Sequence, residues 1–216
     1  MPVLLEDPFT HLIERLTKTT SRWMVALAGV PGSGKSTLAN RLAEQVNSHS
    51  GAGTMVALSM DGFHLPKAAL AQFPDPAEAF ARRGAPWTFD PAGLIERLQL
   101  VRIAAGTIAV PWPDFQHDIG DPVEGGLMVP PAAQVVLVEG LYLLHNDHDW
   151  QPVADLFDEC WFLDTPLDLA LDRLARRHMA AWGWDRAAAE HRIATNDRIN
   201  AELVQASRDQ ADWLVR

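Results

Sequence analysis

A single cysteine, Cys160, stands among the 216 residues, so no intrachain disulfide is possible and a reducing compartment is expected. It lies inside an apolar run, which predicts a buried structural thiol rather than a reactive one. Positive charge is also short: 18 Lys+Arg against 28 Asp+Glu give a net charge of −10. That balance argues against general nucleic-acid binding, which depends on basic surface, but allows a local basic pocket for one triphosphate. No apolar run approaches the length of a transmembrane helix. Residues 1–21 carry Glu6, Asp7, Glu14 and Arg15 without a signal-peptide core, so the cytoplasm and no membrane partner are expected. The guanine-reading Asn-Lys-x-Asp pattern of GTPases is missing, as is the Leu-Ser-Gly-Gly-Gln signature of transporter ATPases. What remains is ordinary for one compact enzyme domain over residues 1–216, with 48% hydrophobic and 21% charged residues.

The regular elements follow from periodicity. Residues 9–20 space Phe9, Leu12, Ile13 and Leu16 as an amphipathic helix. Residues 23–28 read as a buried strand and 36–47 as a helix, with a second strand over 54–60. Ten prolines between Pro66 and Pro131 break the middle third into short loop pieces around one helix near 91–104. Strands return at 134–139, 160–164 and 212–215, with helices at about 167–181 and 186–206. Short apolar strands separated by helices predict an α/β fold with a parallel sheet covered on both faces.

Between the first strand and its helix lies Gly29-Val30-Pro31-Gly32-Ser33-Gly34-Lys35-Ser36, followed by Thr37. This is the Walker A pattern in its proper strand–helix setting. Its glycines let backbone N–H groups approach phosphate oxygens, and the helix adds its positive end. Lys35 is expected on the β- and γ-phosphates and the Ser36 hydroxyl on Mg²⁺, which makes ATP and Mg²⁺ the expected cofactors. Acids at the C-terminal ends of the following strands bear on the same site. Asp61 is a candidate general base for an attacking hydroxyl, with His64 turned into the same cleft. Glu139 occupies the place of a Walker B acid for the metal. Asp164, before Thr165-Pro166, is expected only to cap the next helix. Arg173, Arg176 and Arg177 on that helix are candidates to stabilise the transferring phosphoryl group, Arg173 and Arg177 sharing one face.

Taken in order, Gly29–Ser36, Met60-Asp61-Gly62-Phe63-His64, Arg83-Gly84-Ala85-Pro86-Trp87-Thr88-Phe89-Asp90 and Val138-Glu139-Gly140 resemble the phosphoribulokinase/uridine kinase family. The resemblance covers residues 20–215 and is nearest to the pantothenate-kinase-like branch, which includes members labelled fructose transport system kinases. It implies a P-loop NTPase three-layer sandwich with a five-stranded parallel core and a helical lid at about 173–190. It implies acceptor-site loops at about 62–90 and 111–124, with Arg83, Asp90, Asp114 and His117 as substrate-binding candidates. Asn196, Asp197 and Asn200 are carried over toward the adenine side. One segment departs from the pattern: Pro113-Asp114-Phe115-Gln116-His117-Asp118 lacks the tyrosine and the arginine of uridine kinases.

The expected function is ATP-dependent phosphorylation of a small-molecule hydroxyl, on a sugar such as fructose or alternatively on a nucleoside or pantothenate. The competing class is a regulatory P-loop NTPase with no small-molecule acceptor. Trp87 is expected in the core. A homodimer is left open.

Overall fold

A computed structural model describes residues 1–116 and 118–216. Six strands form one parallel sheet: β1 (Val3–Leu4), β2 (Trp23–Ala28), β3 (Met55–Ser59), β6 (Val135–Gly140), β7 (Glu159–Leu163) and β8 (Trp213–Val215). The intervening β4 (Val110–Gln116) and β5 (Asp121–Val129) pair antiparallel as a separate hairpin. The sheet order is β1-β8-β7-β2-β6-β3. Five of these strands match the expected core. The sixth, β1, is a two-residue edge whose Val3 pairs with Trp213, too short to leave a pattern in the sequence.

Every residue of β2 and β6 is buried, as an all-parallel sheet with helices on both faces requires. On one face, Val25, Leu27, Leu137 and Trp161 pack on Leu12 of α1 (Pro8–Leu16) and on Leu38, Leu42 and Val46 of α2 (Lys35–Ser50). The opposite face puts Met24, Ala26, Val136, Val138 and Phe162 in a second core. The short helices α3 (Lys67–Leu70) and α4 (Pro76–Ala81) precede α5 (Pro91–Ile103), whose Leu94, Leu98 and Val101 enter that core. Leu171 and Leu174 of α6 (Leu167–Trp182) join them there, as does Ala189 of α7 (Arg186–Arg192). Ala201 and Val204 of α8 (Arg198–Ala206) complete it, so the molecule is a three-layer α/β sandwich. Among the described residues no helix is long and apolar enough to cross a membrane.

Two local outcomes differ from the sequence reading. The proline-rich stretch expected to be loops forms the β4–β5 hairpin. Pro111 and Pro113 fit because this small sheet has only two strands, and its register shifts between Trp112 and Asp114. The hairpin is anchored by Trp112, which is fully buried, donates from Nε1 to the Ser59 carbonyl (2.9 Å) and meets Phe63 edge-on. Gly62 lies beneath it, where an added Cβ would collide with the Pro113 carbonyl. The single helix expected over 186–206 is instead α7 and α8 joined by a π turn at Ile193–Asp197. That turn directs Asn196 inward, where it is 1% exposed.

The register fixes where the chemistry falls. Glu139 lies beside Leu27 on β2 and beside Ser59 on β3, while Gly140 lies beside Ala28. The loop starting at Gly29, the acid Glu139 and the turn Met60–Phe63 carrying Asp61 therefore leave the sheet side by side, at its C-terminal edge.

Candidate active site

The Gly29–Ser36 loop turns through Gly32 (φ +80°) and Gly34 (φ +103°), a conformation L side chains rarely adopt. Gly32 is constrained twice, because a Cβ there would also run into the Ala170 carbonyl of α6. The carbonyl of Ser33 accepts from Thr165 Oγ1 (3.1 Å) and from Arg173 Nη1 (3.3 Å), which ties the loop to the β7–α6 connection. α2 begins at Lys35 with Gly34 as its N-cap and no side-chain cap, leaving the first-turn N–H groups directed at the cleft.

Lys35 is buried and donates to the Val30 carbonyl (3.2 Å). Burial pushes its ammonium below the ordinary value, while the nearby Glu139 and Asp61 charges pull it back up. Glu139 is buried too, and Ser36 Oγ donates to its Oε1 at 2.8 Å. Burial raises the Glu139 carboxyl above its ordinary value, against the opposing charge of Lys35. Asp61 is partly exposed, its backbone N–H donating to Ser59 Oγ (3.1 Å). These groups line one cleft of about 340 Å³ with Thr37, Arg173 and Arg177. The arrangement combines a cationic rim, two carboxylates and a hydroxyl at the end of a helix, the chemistry of a site for a polyphosphate and a hard metal ion.

A wider cleft of about 890 Å³ adjoins it through Gly34, Thr37 and Arg173, with Ser33, Leu38, Arg41, Thr165, Leu169 and Arg216 on its walls. Asp164, expected to cap α6, does something else. Pro166 holds the cap position, and Asp164 accepts from Arg208 (2.9 and 3.1 Å) and Arg216 (3.3 and 3.2 Å). The Arg208 hydrogen bonds hold its carboxyl below the usual carboxylate value.

The remaining candidates separate. Arg176 faces solvent and pairs with Asp172 (2.7 Å), away from Arg173 and Arg177. His64 packs face-near on Phe89 (3.9 Å between ring centres), with Nδ1 2.8 Å from the Asp61 carbonyl. It lines a third cavity of about 440 Å³ with Asp90, Glu96 and Arg97. Asp90 caps α5, accepting from the Gly93 N–H (2.9 Å). Arg83 donates to the carbonyls of Leu65 and Gly120 and to Asp121. Asp114 sits on β4 opposite Val123. His117 lies outside the described residues. Asn196 bonds to the Arg83 carbonyl, Asn200 accepts from Arg82 and bonds to Asn196, and Asp197 bonds to His178; none of the three lines the wide cleft. Trp87, expected in the core, is 45% exposed beside Phe73.

Sequence reasoning missed Thr165 and Tyr142. Tyr142 is fully buried and donates from its hydroxyl to the Gly84 carbonyl (2.6 Å). It is the only tyrosine in the chain and follows Val138-Glu139-Gly140 by two residues, which was the available signal. Cys160 is buried as expected, its thiol pushed up to about 12 by burial.

Comparison with known proteins bears on the fold and the family. The model of the phosphoribulokinase/uridine kinase family matches residues 24–216. A Schizosaccharomyces pombe protein provisionally named a uridine kinase is 36% identical over 202 residues, covering 93% of this chain and 85% of its own length. An ATP-dependent kinase-like protein of Aspergillus versicolor is 44% identical over 153 residues, covering 69% of this chain and 88% of that one. Among solved structures, a protein of Silicibacter sp. TM1040 provisionally named a fructose transport system kinase superposes with a TM-score of 0.83. It is 32% identical, with 95% of this chain and 96% of that one covered.

Proposed function

The chain belongs to the phosphoribulokinase/uridine kinase family, and from that membership we propose that it moves the γ-phosphoryl group of ATP to a hydroxyl of a sugar such as fructose. Membership itself makes the protein a P-loop kinase, a phosphotransferase acting on a small molecule. Phosphoryl transfer is supported most by one observation: Lys35, Ser36, Asp61, Glu139, Arg173 and Arg177 line a single cleft. The choice of fructose is supported by the name of the Silicibacter neighbour.

In this reading the 29–37 loop cradles the phosphates and Lys35 neutralises the β- and γ-phosphate oxygens. Ser36 and Glu139 would hold Mg²⁺. The fit is good, because a hydroxyl and a carboxylate oxygen 2.8 Å apart are hard donors. Among the described residues no group of three or more His, Cys, Asp or Glu side chains is placed to bind a metal. Few protein ligands suit an ion that keeps its waters and takes phosphate oxygens. When bound, it would polarise the phosphoryl oxygens as a Lewis acid. Asp61 takes the proton of the acceptor hydroxyl as its oxygen bonds to phosphorus and the bond to the β-phosphate oxygen breaks, releasing ADP. Arg173 and Arg177 oppose the charge that develops on the transferring group. Residues 173–190 act as the lid, and the 62–90 and 111–124 segments form the acceptor side.

A nucleoside acceptor is the second reading, favoured by the name of the Schizosaccharomyces pombe relative. The test is ADP release measured with fructose, other sugars, nucleosides and pantothenate, in the wild type and in Asp61→Asn. Acceptor-dependent release should fall roughly 10²- to 10⁴-fold in Asp61→Asn while ATP binding holds. Unchanged turnover would remove Asp61 as the base.

A further inference from the structure

The turn from Ala81 to Gly84 is held by side chains from two distant parts of the chain. Arg192 donates to the carbonyls of Ala81 (2.6 Å) and Arg83 (3.1 Å), and Asn196 Nδ2 donates to that of Arg83 (3.2 Å). From the other side, the Tyr142 hydroxyl donates to the Gly84 carbonyl. Burial pushes the Tyr142 phenol well above its ordinary value, so it stays protonated as a donor. Surface turns commonly leave such carbonyls to water. Here three carbonyls within four residues are taken by side chains, and two of the donors, Asn196 and Tyr142, are 1% and 0% exposed.

The side chain of Arg83 carries this restraint onward. Its Nη2 donates to the Leu65 carbonyl (3.0 Å) and to Asp121 Oδ1 (2.8 Å), its Nη1 donates to the Gly120 carbonyl, and its Cζ lies over the Phe115 ring, 5.5 Å from the ring centre. Leu65 follows the turn that carries Asp61, and Gly120 and Asp121 lie where the hairpin enters β5. Asp121 also accepts from the Lys67 N–H (2.9 Å). One guanidinium therefore joins the Asp61 turn to the hairpin, and its backbone is clamped by the π turn and by the segment after Glu139. Both terminal nitrogens are occupied. Nε, the remaining donor, is buried without a protein partner.

We propose that Arg83 is a positioning residue, anchored through its carbonyl by Asn196, that sets the spacing between Asp61 and the β4–β5 hairpin. This departs from the acceptor-binding role that the sequence suggests for Arg83. It rests on the reading of the hairpin as the acceptor side. A π turn in an otherwise α-helical segment is a frequent functional feature, and here its effect is to bring Asn196 onto the Arg83 carbonyl.

The test compares Asn196→Ala, Arg83→Ala and the milder Tyr142→Phe by amide hydrogen exchange and by steady-state kinetics. Exchange over 118–124 should rise about tenfold in the first two and about threefold in Tyr142→Phe, with β6 amides unchanged. The KM for the acceptor found by the panel should rise in all three, in that order, at unchanged KM for ATP. A hairpin that exchanges no faster in Asn196→Ala and Tyr142→Phe overturns the proposal. So does a raised acceptor KM in Arg83→Ala alone, which would mean direct contact with the acceptor. If Asn196→Ala does not fold, Tyr142→Phe, which keeps the buried ring, decides the matter. If the wild type turns over no acceptor, the kinase reading fails while the exchange result still stands or falls separately.

Discussion

Replacing Gly32 by alanine asks how tightly the phosphate loop is locked to α6. Two costs can be separated. An alanine at φ +80° is left-handed, which disfavours it by about 1–2 kcal/mol. Its Cβ would also collide with the Ala170 carbonyl oxygen, lie 3.0 Å from the Ala170 carbonyl carbon and 3.3 Å from Leu174 Cβ. Helix backbone cannot swing aside as a side chain can, so overpacking adds about 1–3 kcal/mol. The sum, roughly 2–5 kcal/mol, lowers Tm by roughly 4–20 °C in a chain of this size. Gly34→Ala is the internal control. Its φ is +103°, but nothing lies within 4 Å of the added carbon, so only the first cost applies, roughly 2–8 °C. Thermal unfolding of both variants in one buffer gives the comparison. Gly32→Ala melting as high as Gly34→Ala would refute the packing of the loop on α6.

Other consequences follow from single residues. Glu139 has a raised carboxyl, so its ionisation opposes folding: its stabilising share is present below the ordinary 4.5 and is lost as pH rises through the raised value. Under the proposed role of Glu139, activity runs the other way, because a metal held there would need the carboxylate. Tm against pH should therefore show Glu139→Gln gaining on the wild type as pH rises through that value, and acceptor-dependent turnover in the wild type should fall as pH drops through it; a constant difference in Tm would contradict this. Arg176→Ala should change kcat less than twofold, since Arg176 pairs with Asp172 in solvent and does not line the cleft. Arg177→Ala should lower kcat by about 10- to 10³-fold, and equal effects of the two would remove the distinction drawn from the cleft. Cys160, buried and with its thiol at about 12, should resist a thiol reagent at pH 8 until the protein unfolds, and rapid labelling of the native protein would contradict its burial.

The sequence carried the sheet because its strands are uninterrupted apolar runs, and β2, β6 and β7 are buried at every position. It carried the phosphate loop because that motif is local: glycines, a lysine and a serine at fixed spacing between a strand and a helix. The hairpin was hidden because Pro111, Pro113 and Pro122 mask alternation, and its anchors (Trp112 on Ser59, Gly62 beneath Pro113) join residues some fifty apart. Arg83 and Asp90 stand within a family-like segment, yet Arg83 bonds to groups distant in sequence and Asp90 to its own helix start. Where a long side chain points is set by tertiary partners, which no spacing encodes. Trp87 shows the same limit in reverse, a large aromatic ring left 45% exposed.

Phosphoryl transfer to a small-molecule hydroxyl can be watched by phosphorus NMR of the protein with ATP, Mg²⁺ and the acceptor panel. One acceptor, with fructose the first choice, should yield a phosphomonoester signal in step with ADP, and the signal should disappear in Asp61→Asn. ADP accompanied only by inorganic phosphate, at a rate indifferent to every acceptor, would contradict it.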